Sequence, residues 1–280
     1  TLHFIRTFDG NKYFKDEDGS CYRAYRFVDN SKAYDTVDSA EVFGKSGKAF
    51  GRFQKYLSDF PAESLSEIIK NFHNTIWRYE NEFIPAVQAD KADRAVNCGE
   101  EIKFVMHRRE DCKKLVELIE KGELPLRVTH NDTKLNNVLF DSDSDDAICV
   151  IDLDTVMPGL ALYDFGDSIR FGANSCAEDD DNYDKVELML DYFEAYAKGF
   201  LSEAGDALNQ CEIDNLAFSA KLMTFECGMR FLTDYLNGDT YFKTAYPEHN
   251  LVRAKNQFAL VADMERKMEQ MQQIIKNITE

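Results

Sequence analysis

The sequence predicts an α+β fold, in which part of a small β-sheet is followed by a mainly helical lobe that contains a β island. Residues 2–28 are short apolar runs separated by glycine-containing polar turns, which is typical of hairpin strands. From about residue 40 the apolar residues recur at three- and four-residue steps, which indicates helices. Residues 126–155 interrupt that spacing with short apolar runs around a polar turn, and they predict the island.

These runs and repeats place the predicted elements in chain order. Strands are expected at residues 2–7, 12–15, 21–28, 126–128, 137–140 and 148–153. Helices are expected near residues 40–58, 63–72, 90–97, 101–121, 183–203, 212–236 and 248–278. The last helix has an apolar stripe that predicts a core-facing side, formed by Leu251, Phe258, Val261, Met264, Met268 and Met271. The acidic run 141–146 is predicted to be a hairpin turn, because it lacks the glycine and the terminal glutamate of a calcium loop.

Composition and charge limit the kinds of partner. Hydrophobic residues make up 44% and charged residues 30% of the 280 residues, the balance of a folded chain. The net charge of -18 and the absence of long Lys or Arg runs argue against nucleic acid as a partner. The seven cysteines never occur in CxxC spacing, which predicts free thiols. No apolar run resembles a signal peptide or a membrane span, so no membrane partner is expected and a cytoplasmic location is predicted.

The strongest chemical signal is residues 130–137, HNDTKLNN, which fit the pattern HxDxxxxN between two apolar runs. Asp152 follows Asp132 by 20 positions, at the end of another apolar run. Phosphoryl transfer needs a carboxylate that orients and deprotonates a hydroxyl, and oxygen ligands that hold magnesium on ATP. Asp132, Asn137 and Asp152 supply these groups. The alternative is that Asp132 and Asn137 are ordinary turn residues, but the flanking strands and the second aspartate favour the phosphotransferase interpretation.

These residues resemble those of the aminoglycoside phosphotransferase and choline kinase group of the protein-kinase-like superfamily, and the resemblance spans most of the chain. Three blocks narrow it to the members that phosphorylate N-acetylhexosamines: RVTHNDTKLNNVLFD (127–141), VIDLDTVMPGLALYDFGDSIRFGAN (150–174) and CGMRFLTDYLNGDTYF (227–242). The resemblance implies a protein-kinase-like fold with a helical C-lobe. It also implies that Asp132 is the catalytic aspartate and that Asn137 and Asp152 bind magnesium.

Other polar residues around the motif are weaker candidates. Asp154 lies where relatives often have a second acidic metal ligand, and a cap or turn aspartate is the alternative. The Asp164-Phe165-Gly166 triplet spells the DFG motif of protein kinases but lies 32 residues after Asp132, so Asp152 is the preferred ligand. The resemblance implies that Asp164 stabilises the catalytic loop, and His130 is a second residue expected to give structural support.

For the acceptor, the candidate is Arg230, which lies in an apolar helical stretch where its guanidinium could donate hydrogen bonds to sugar hydroxyls. The alternative is a solvated ion-paired stripe, because Glu226, Arg230 and Asp234 are four residues apart. The resemblance favours Arg230, with Tyr241 and Phe171, as sugar contacts, since aromatic rings can pack on the apolar face of a pyranose.

The nucleotide is expected at the junction of the two lobes, where Arg26, Phe27 and Val28 are the candidate hinge; a plain strand end is the alternative. Residues 1–35 are thus predicted to be the remnant of an N-lobe sheet and its hinge, and residues 36–280 the helical C-lobe with the catalytic loop and the acceptor site. Kinase-like enzymes place a phosphate-covering loop and a lysine-bearing strand ahead of this region, and neither precedes Cys21. We therefore expect a few tens of N-lobe residues to be missing.

The sequence thus predicts a transferase that uses ATP and Mg²⁺ to phosphorylate the anomeric hydroxyl of N-acetylglucosamine or N-acetylgalactosamine. A first alternative is a kinase of the same fold with a cationic acceptor such as choline or an aminoglycoside, which the acidic charge favours but which leaves Arg230 without a purpose. A second is a catalytically impaired kinase-like binding module, favoured by the incomplete N-lobe. The presence of Asp132, Asn137 and Asp152 argues against it.

Overall fold

The computed structural model describes residues 2–280 and has the predicted α+β arrangement, with a small β unit followed by a mainly helical lobe. The first four strands form two antiparallel pairs: β1 (Phe4–Ile5) with β4 (Ala24–Tyr25), and β2 (Phe14–Lys15) with β3 (Cys21–Tyr22). Each strand has two residues and exposed side chains, so the strands are shorter than predicted. Two-stranded hairpins without a buried face are only marginally stable, which explains the difference.

The predicted β island is present as two small sheets. β5 (Ser31–Lys32) pairs with β7 (Val138–Asp141), which pairs with β8 (Ala147–Val150), both antiparallel. β6 (Arg127–Thr129) pairs antiparallel with β9 (Met157–Gly159). The turn between β7 and β8 confirms the predicted hairpin. β8 ends earlier than predicted, before Asp152, whose φ of 59° is left-handed and cannot continue a strand.

The helical lobe contains nine α-helices within residues 2–280. They are α1 (Ala40–Tyr56), α2 (Thr75–Arg78), α3 (Ile84–Ala89), α4 (Gly99–Met106), α5 (Arg109–Glu120), α6 (Ala161–Gly172), α7 (Leu190–Ala204), α8 (Gln210–Asn237) and α9 (His249–Thr279). The predictions for α1, α8 and α9 are confirmed to within about two residues at each end. α7 begins later than predicted, after a 3₁₀ turn at Tyr183–Lys185.

Some helix predictions are wrong. The expected helix near residues 63–72 is a 3₁₀ turn at Ala62–Ser64 followed by irregular chain. The one near residues 90–97 fails because Asp90 and Asp93 have left-handed φ values of 37° and 56°, which end α3 and oppose a new helix. The expected helix at residues 101–121 is two helices, α4 and α5.

Helix α6 was not predicted at all, although it carries the DFG triplet. Every residue from Ala161 to Arg170 is buried, including the polar Asp164, Asp167 and Ser168, whose i, i+3, i+4 spacing is that of one helix face. The helix packs against α8 and β6 in the interior of the lobe. This position brings the polar groups of α6 next to the loop that follows β6.

Packing in the helical lobe is close. α8 packs along α9, and the predicted stripe of α9 is confirmed, with Met268 partly buried and its other members buried. α1 packs on α7 so closely that a Cβ on Gly47 would lie 2.5 Å from the carbonyl oxygen of Tyr196. The seven cysteines have free thiols, as predicted. Within residues 2–280, none of the helices combines the length and the apolar character needed to cross a bilayer.

Candidate active site

The catalytic-loop candidate connects β6 to β7. Asn137 donates from Nδ2 to the main-chain oxygen of Asp132 at 2.8 Å and to its carboxylate Oδ2 at 3.1 Å. The ammonium group of Lys134 lies 2.8 Å from the other carboxylate oxygen. Burial disfavours the charged form of Lys134, but Asp132 outweighs burial and raises the pKa of the ammonium group. The half-buried Asp132 carboxylate is therefore held between an amide and a cation, with part of its surface open to the cleft.

Asp164, in the first turn of α6, contacts the main chain of this loop. Its fully buried carboxylate accepts hydrogen bonds from the main-chain N–H groups of His130 at 2.9 Å and Asn131 at 2.8 Å, and from Gln54 Nε2 at 2.8 Å. Burial raises the pKa of Asp164, and these donors oppose the rise. Asn131 has a left-handed φ of 64°, an uncommon conformation that these hydrogen bonds stabilise. These contacts support the structural role expected for Asp164.

His130 connects the loop to the end of β8. Its Nε2 lies 2.8 Å from the carbonyl oxygen of Ile151, the residue before Asp152, and its ring meets the ring of Phe50 edge-on at 5.5 Å between centroids. Because His130 is buried, this contact fixes the distance between the two halves of the motif. The arrangement supports the structural role expected for His130.

The predicted metal ligands Asn137 and Asp152 are brought together by one main-chain hydrogen bond. The N–H of Ile151 donates to the main-chain oxygen of Asn137 at 2.9 Å, which holds Asp152 beside Asn137. Within residues 2–280, neither Asn137 Oδ1 nor the exposed Asp152 carboxylate accepts a hydrogen bond. Free hard oxygens of this kind fit magnesium, which takes one or two carboxylates and completes its octahedron with phosphates and water. Asp154 differs, because its carboxylate is ion-paired with Arg23.

A cavity of about 450 Å³ lies beside Asp132. Of the predicted acceptor contacts, Arg230 and Tyr241 line it. Other polar side chains that line it are His73, Asn131, Lys134, Thr155, Asp167, Arg170, Glu178, Glu226, Lys243 and Arg253. Phe72, Phe231 and Phe242 supply aromatic walls. The structure thus brings Asp132, Arg230 and Tyr241 to one cavity.

Arg230 is held by aromatic rings. Its guanidinium carbon lies 5.1, 5.7 and 5.5 Å from the ring centroids of Phe72, Tyr241 and Phe242. No carboxylate in residues 2–280 forms an ion pair with it. The solvated stripe with Glu226 and Asp234 is absent from this part of the chain.

The two acids of that stripe have other partners. Glu226 is buried against His73 and Thr75, at 2.8 and 2.5 Å. Asp234 accepts N–H bonds from Tyr241 and Phe242, both at 2.9 Å. Glu226 and Asp234 thus shape the protein interior around Arg230 and do not neutralise it.

Phe171 lies elsewhere. It lines a second cavity of about 350 Å³, together with Gly172 and Gln257, and does not line the cavity of Asp132. Arg170 lines both cavities. The structure therefore does not bring Phe171 together with Arg230 and Tyr241.

The hinge candidates follow β4. Arg26 donates its N–H to the main-chain oxygen of His3 at 2.8 Å, Val28 is half-buried, and the Phe27 side chain is 76% exposed. A larger cavity of about 960 Å³ lies between the β unit and Asp154. The three hinge candidates do not line it, whereas Arg23 does.

The sequence interpretation missed several residues of the site. Lys134 lies within the quoted motif but was not among the predicted site residues. A cation two residues after Asp132 could have been recognised in the sequence. Asp167 accepts the N–H of Thr133 at 3.1 Å and pairs with Arg170 at 3.0 Å. The i, i+3 spacing of Asp167 and Arg170 indicates an ion pair only once a helix is predicted over these residues. His73 and Arg253 had no local signal.

The structure is similar to solved kinases of low sequence identity. The structure of a microcompartment-associated aminopropanol kinase matches with a TM-score of 0.61 at 16% identity, covering 97% of this chain and 76% of that one. A choline kinase from Cryptosporidium parvum Iowa II matches with 0.57 at 14% identity, covering 95% and 75%. A spectinomycin phosphotransferase, solved with ADP and spectinomycin, matches with 0.55 at 13% identity, covering 96% and 77%. These likenesses confirm the predicted protein-kinase-like fold.

A family model gives the assignment. The model described as the phosphotransferase enzyme family, APH, matches residues 8–199, well over half of the chain. The matched part includes Asp132, Asn137 and Asp152, whereas Arg230 and Tyr241 lie beyond it. The chain therefore belongs to the phosphotransferase enzyme family.

Proposed function

We propose that the protein is a small-molecule kinase that transfers the γ-phosphoryl group of ATP to the anomeric hydroxyl of an N-acetylhexosamine, N-acetylglucosamine or N-acetylgalactosamine. The observation that carries the proposal is the cavity beside Asp132, which combines aromatic walls with two guanidinium groups, those of Arg230 and Arg253, that have no carboxylate partner in residues 2–280. Such groups donate to neutral sugar oxygens and the rings pack on the apolar face of the pyranose.

The charge of this cavity differs from that of the chain. Five cationic side chains line it, namely Lys134, Arg170, Arg230, Lys243 and Arg253, against four acidic ones, namely Asp132, Asp167, Glu178 and Glu226. The whole chain has a formal net charge of -18. A cationic acceptor would have to lie next to Arg230 with no nearby excess of negative charge, which costs free energy. The local balance supports a neutral acceptor.

The mechanism assigns a role to each motif residue. Asp132 orients the acceptor hydroxyl and accepts its proton, while Asn137 and Lys134 fix the carboxylate. Asn137 Oδ1 and Asp152 would hold Mg²⁺, which neutralises charge on the ATP phosphates when bound. Asp154 joins that set only if its carboxylate leaves Arg23. Asp164 and His130 keep the loop in place.

The nucleotide side of the proposal depends on the lobe arrangement. In the proposed arrangement, residues 1–35 form the N-lobe sheet and hinge, and the adenine binds near Arg26, Phe27 and Val28. Residues 36–280 carry the catalytic loop and the acceptor site. The supporting observation is that β5 pairs with β7, which places the end of the β unit beside the strand that follows Asn137.

The second candidate is a kinase with a cationic acceptor. Two observations favour it: the acidic chain, and the aminopropanol and choline kinases among the similar structures. Against it stands the local charge balance beside Asp132.

An acceptor panel tests the proposal. ADP release would be measured with ATP and magnesium against N-acetylglucosamine, N-acetylgalactosamine, glucose, choline, ethanolamine and spectinomycin, and ³¹P NMR would locate the phosphate. We expect the highest kcat/KM for an N-acetylhexosamine and a phosphate on C1. Preference for choline or ethanolamine would establish the second candidate. Binding of a sugar without turnover would overturn both and indicate a binding module.

A further inference from the structure

Two residues that line the cavity, His73 and Arg253, each have a buried side-chain nitrogen without a hydrogen-bond partner in residues 2–280. His73, which precedes α2, is 8% exposed, and its Nδ1 lies 2.8 Å from Oε1 of Glu226. Thr75 donates its hydroxyl to the other carboxylate oxygen at 2.5 Å. Nε2 of His73 is buried and has no hydrogen-bond partner in residues 2–280. His73 lines the cavity that contains Asp132 and Arg230.

Glu226 determines which ring nitrogen carries the proton. Burial raises the pKa of Glu226, but its contacts with His73, Arg78 and Thr75 outweigh burial and hold that pKa below its ordinary value. An ionised carboxylate only accepts, so the Nδ1 atom of His73 donates to it. In the neutral ring the lone pair is then on Nε2. In its neutral form His73 therefore presents a hydrogen-bond acceptor at Nε2.

The neighbours of His73 are already occupied. The rings of Phe72 and Tyr163 pack on the imidazole, with centroids at 4.3 and 5.1 Å. Arg78 donates to the carbonyl oxygen of Phe72 at 2.6 Å and pairs with Glu82 at 2.7 Å. An unsatisfied buried nitrogen destabilises the free protein, and a molecule in the cavity can remove that cost.

We propose that Nε2 of His73 accepts a hydrogen bond from an O–H or N–H group of the phosphate acceptor, at a position other than the hydroxyl that Asp132 deprotonates. Glu226 is then a positioning residue, because it fixes the tautomer. The inference rests on the proposed function only in placing an acceptor in the cavity beside Asp132. It requires an acceptor with a second donor group, such as a ring hydroxyl or the N–H of an acetamido group.

Paired substitutions test the two nitrogens separately. His73→Asn keeps an amide nitrogen near the position of Nδ1 but removes the Nε2 position, whereas His73→Gln reaches toward the Nε2 position. Loss of one neutral hydrogen bond predicts that KM for the acceptor rises about three- to tenfold in His73→Asn, while kcat and the KM for ATP stay within about twofold. His73→Gln should recover part of the loss. His107→Asn, on the exposed link between α4 and α5, is the matched control and should change nothing.

Glu226→Gln tests the positioning step. A glutamine can donate to Nδ1, which moves the ring proton to Nε2 and converts the acceptor into a donor. KM for the phosphate acceptor should rise about as much as in His73→Asn although His73 is intact. A purely structural His73–Glu226 pair predicts instead a lower Tm in both variants with unchanged KM, and that result overturns the proposal.

The measurements use whichever member of the acceptor panel has the highest kcat/KM. A non-sugar acceptor would thus overturn the proposed function and leave the role of His73 open to the same test. If no member is turned over, the thermal shift of parent and His73→Asn with each compound replaces KM. Equal shifts in the two proteins would overturn the inference.

Discussion

The catalytic loop and the acceptor cavity share Asp132 but satisfy their polar groups differently. In the loop, three main-chain N–H groups bond to carboxylates of α6: Asp164 accepts from His130 and Asn131, and Asp167 accepts from Thr133. In the cavity, His73 Nε2 and Arg253 Nε have no partner in residues 2–280. The main chain of the loop is thus held by α6, whereas side chains of the cavity lack partners; two buried side-chain atoms of the loop, Nδ1 of His130 and Oδ1 of Asn136, also have none in residues 2–280.

This difference indicates where each region does its work. A loop that must keep Asp132, Asn137 and Asp152 in fixed relative positions benefits from internal hydrogen bonds, because misplacement of reacting groups slows the reaction. A binding cavity benefits from donors and acceptors that remain free for the substrate. Each unpartnered buried atom costs about 1–3 kcal/mol, so such atoms are expected where a ligand removes that cost.

The largest effect expected is on the loop side, from Asp132→Asn. The amide keeps the shape and the contact with Asn137 but cannot accept the hydroxyl proton, so kcat should fall by about 100-fold or more. The KM for the acceptor should change much less. Steady-state kinetics against Asp143→Asn, in the exposed β7–β8 turn, gives the comparison. A kcat within about threefold of the parent value would rule out Asp132 as the base.

The next effect concerns the metal side of the loop. Asp152→Ala should weaken magnesium-dependent ATP binding by more than the about 10- to 100-fold that changes outside the ligand sphere cost. Asp154→Ala should have a smaller effect, because its carboxylate is already paired with Arg23. Calorimetric titration of ATP at several magnesium concentrations measures both. Equal losses of ATP affinity in the two variants would show that Asp154 contributes as much to magnesium binding as Asp152.

On the cavity side, Arg230→Ala should affect binding more than chemistry. Loss of two hydrogen bonds to neutral hydroxyls predicts a rise in acceptor KM of about 10- to 100-fold, with the KM for ATP unchanged. Arg266→Ala is a suitable control, since Arg266 is 68% exposed and pairs with Asp263 at 2.9 Å. If Arg230→Ala changes Tm and not the acceptor KM, Arg230 is a structural residue only.

The same contrast explains what the sequence could predict. Asp132, Asn137 and Asp152 lie within about 20 positions of one another, on a loop and a hairpin whose strands are local patterns. The family and the fold were therefore readable. The cavity is formed by residues from position 69 to position 253, on helices whose contacts no local pattern specifies. Helix α6 could also have been predicted, because Asp164, Asp167 and Ser168 have the i, i+3, i+4 spacing of one helix face.

The smallest effect on kinetics, and the clearest on stability, is expected for Asp164→Asn. The carboxylate accepts three N–H bonds in a fully buried position, and an amide presents one oxygen and an NH₂ group in its place. At least one of these N–H groups then lacks an acceptor, which should lower the free energy of unfolding by about 1–3 kcal/mol. For a chain of this size that corresponds to a Tm about 2–12 °C lower.

Magnesium-dependent ATP binding separates this variant from Asp152→Ala. Substitution of a residue that stabilises the loop should lower Tm and leave most of the ATP affinity. Substitution of a metal ligand should lower the ATP affinity and leave Tm nearly unchanged. Calorimetric titration and thermal melting of the same two preparations make the comparison. Loss of ATP binding in Asp164→Asn at an unchanged Tm would show that Asp164, the DFG aspartate, is the metal ligand. The loop would then be stabilised by His130 and Asp167.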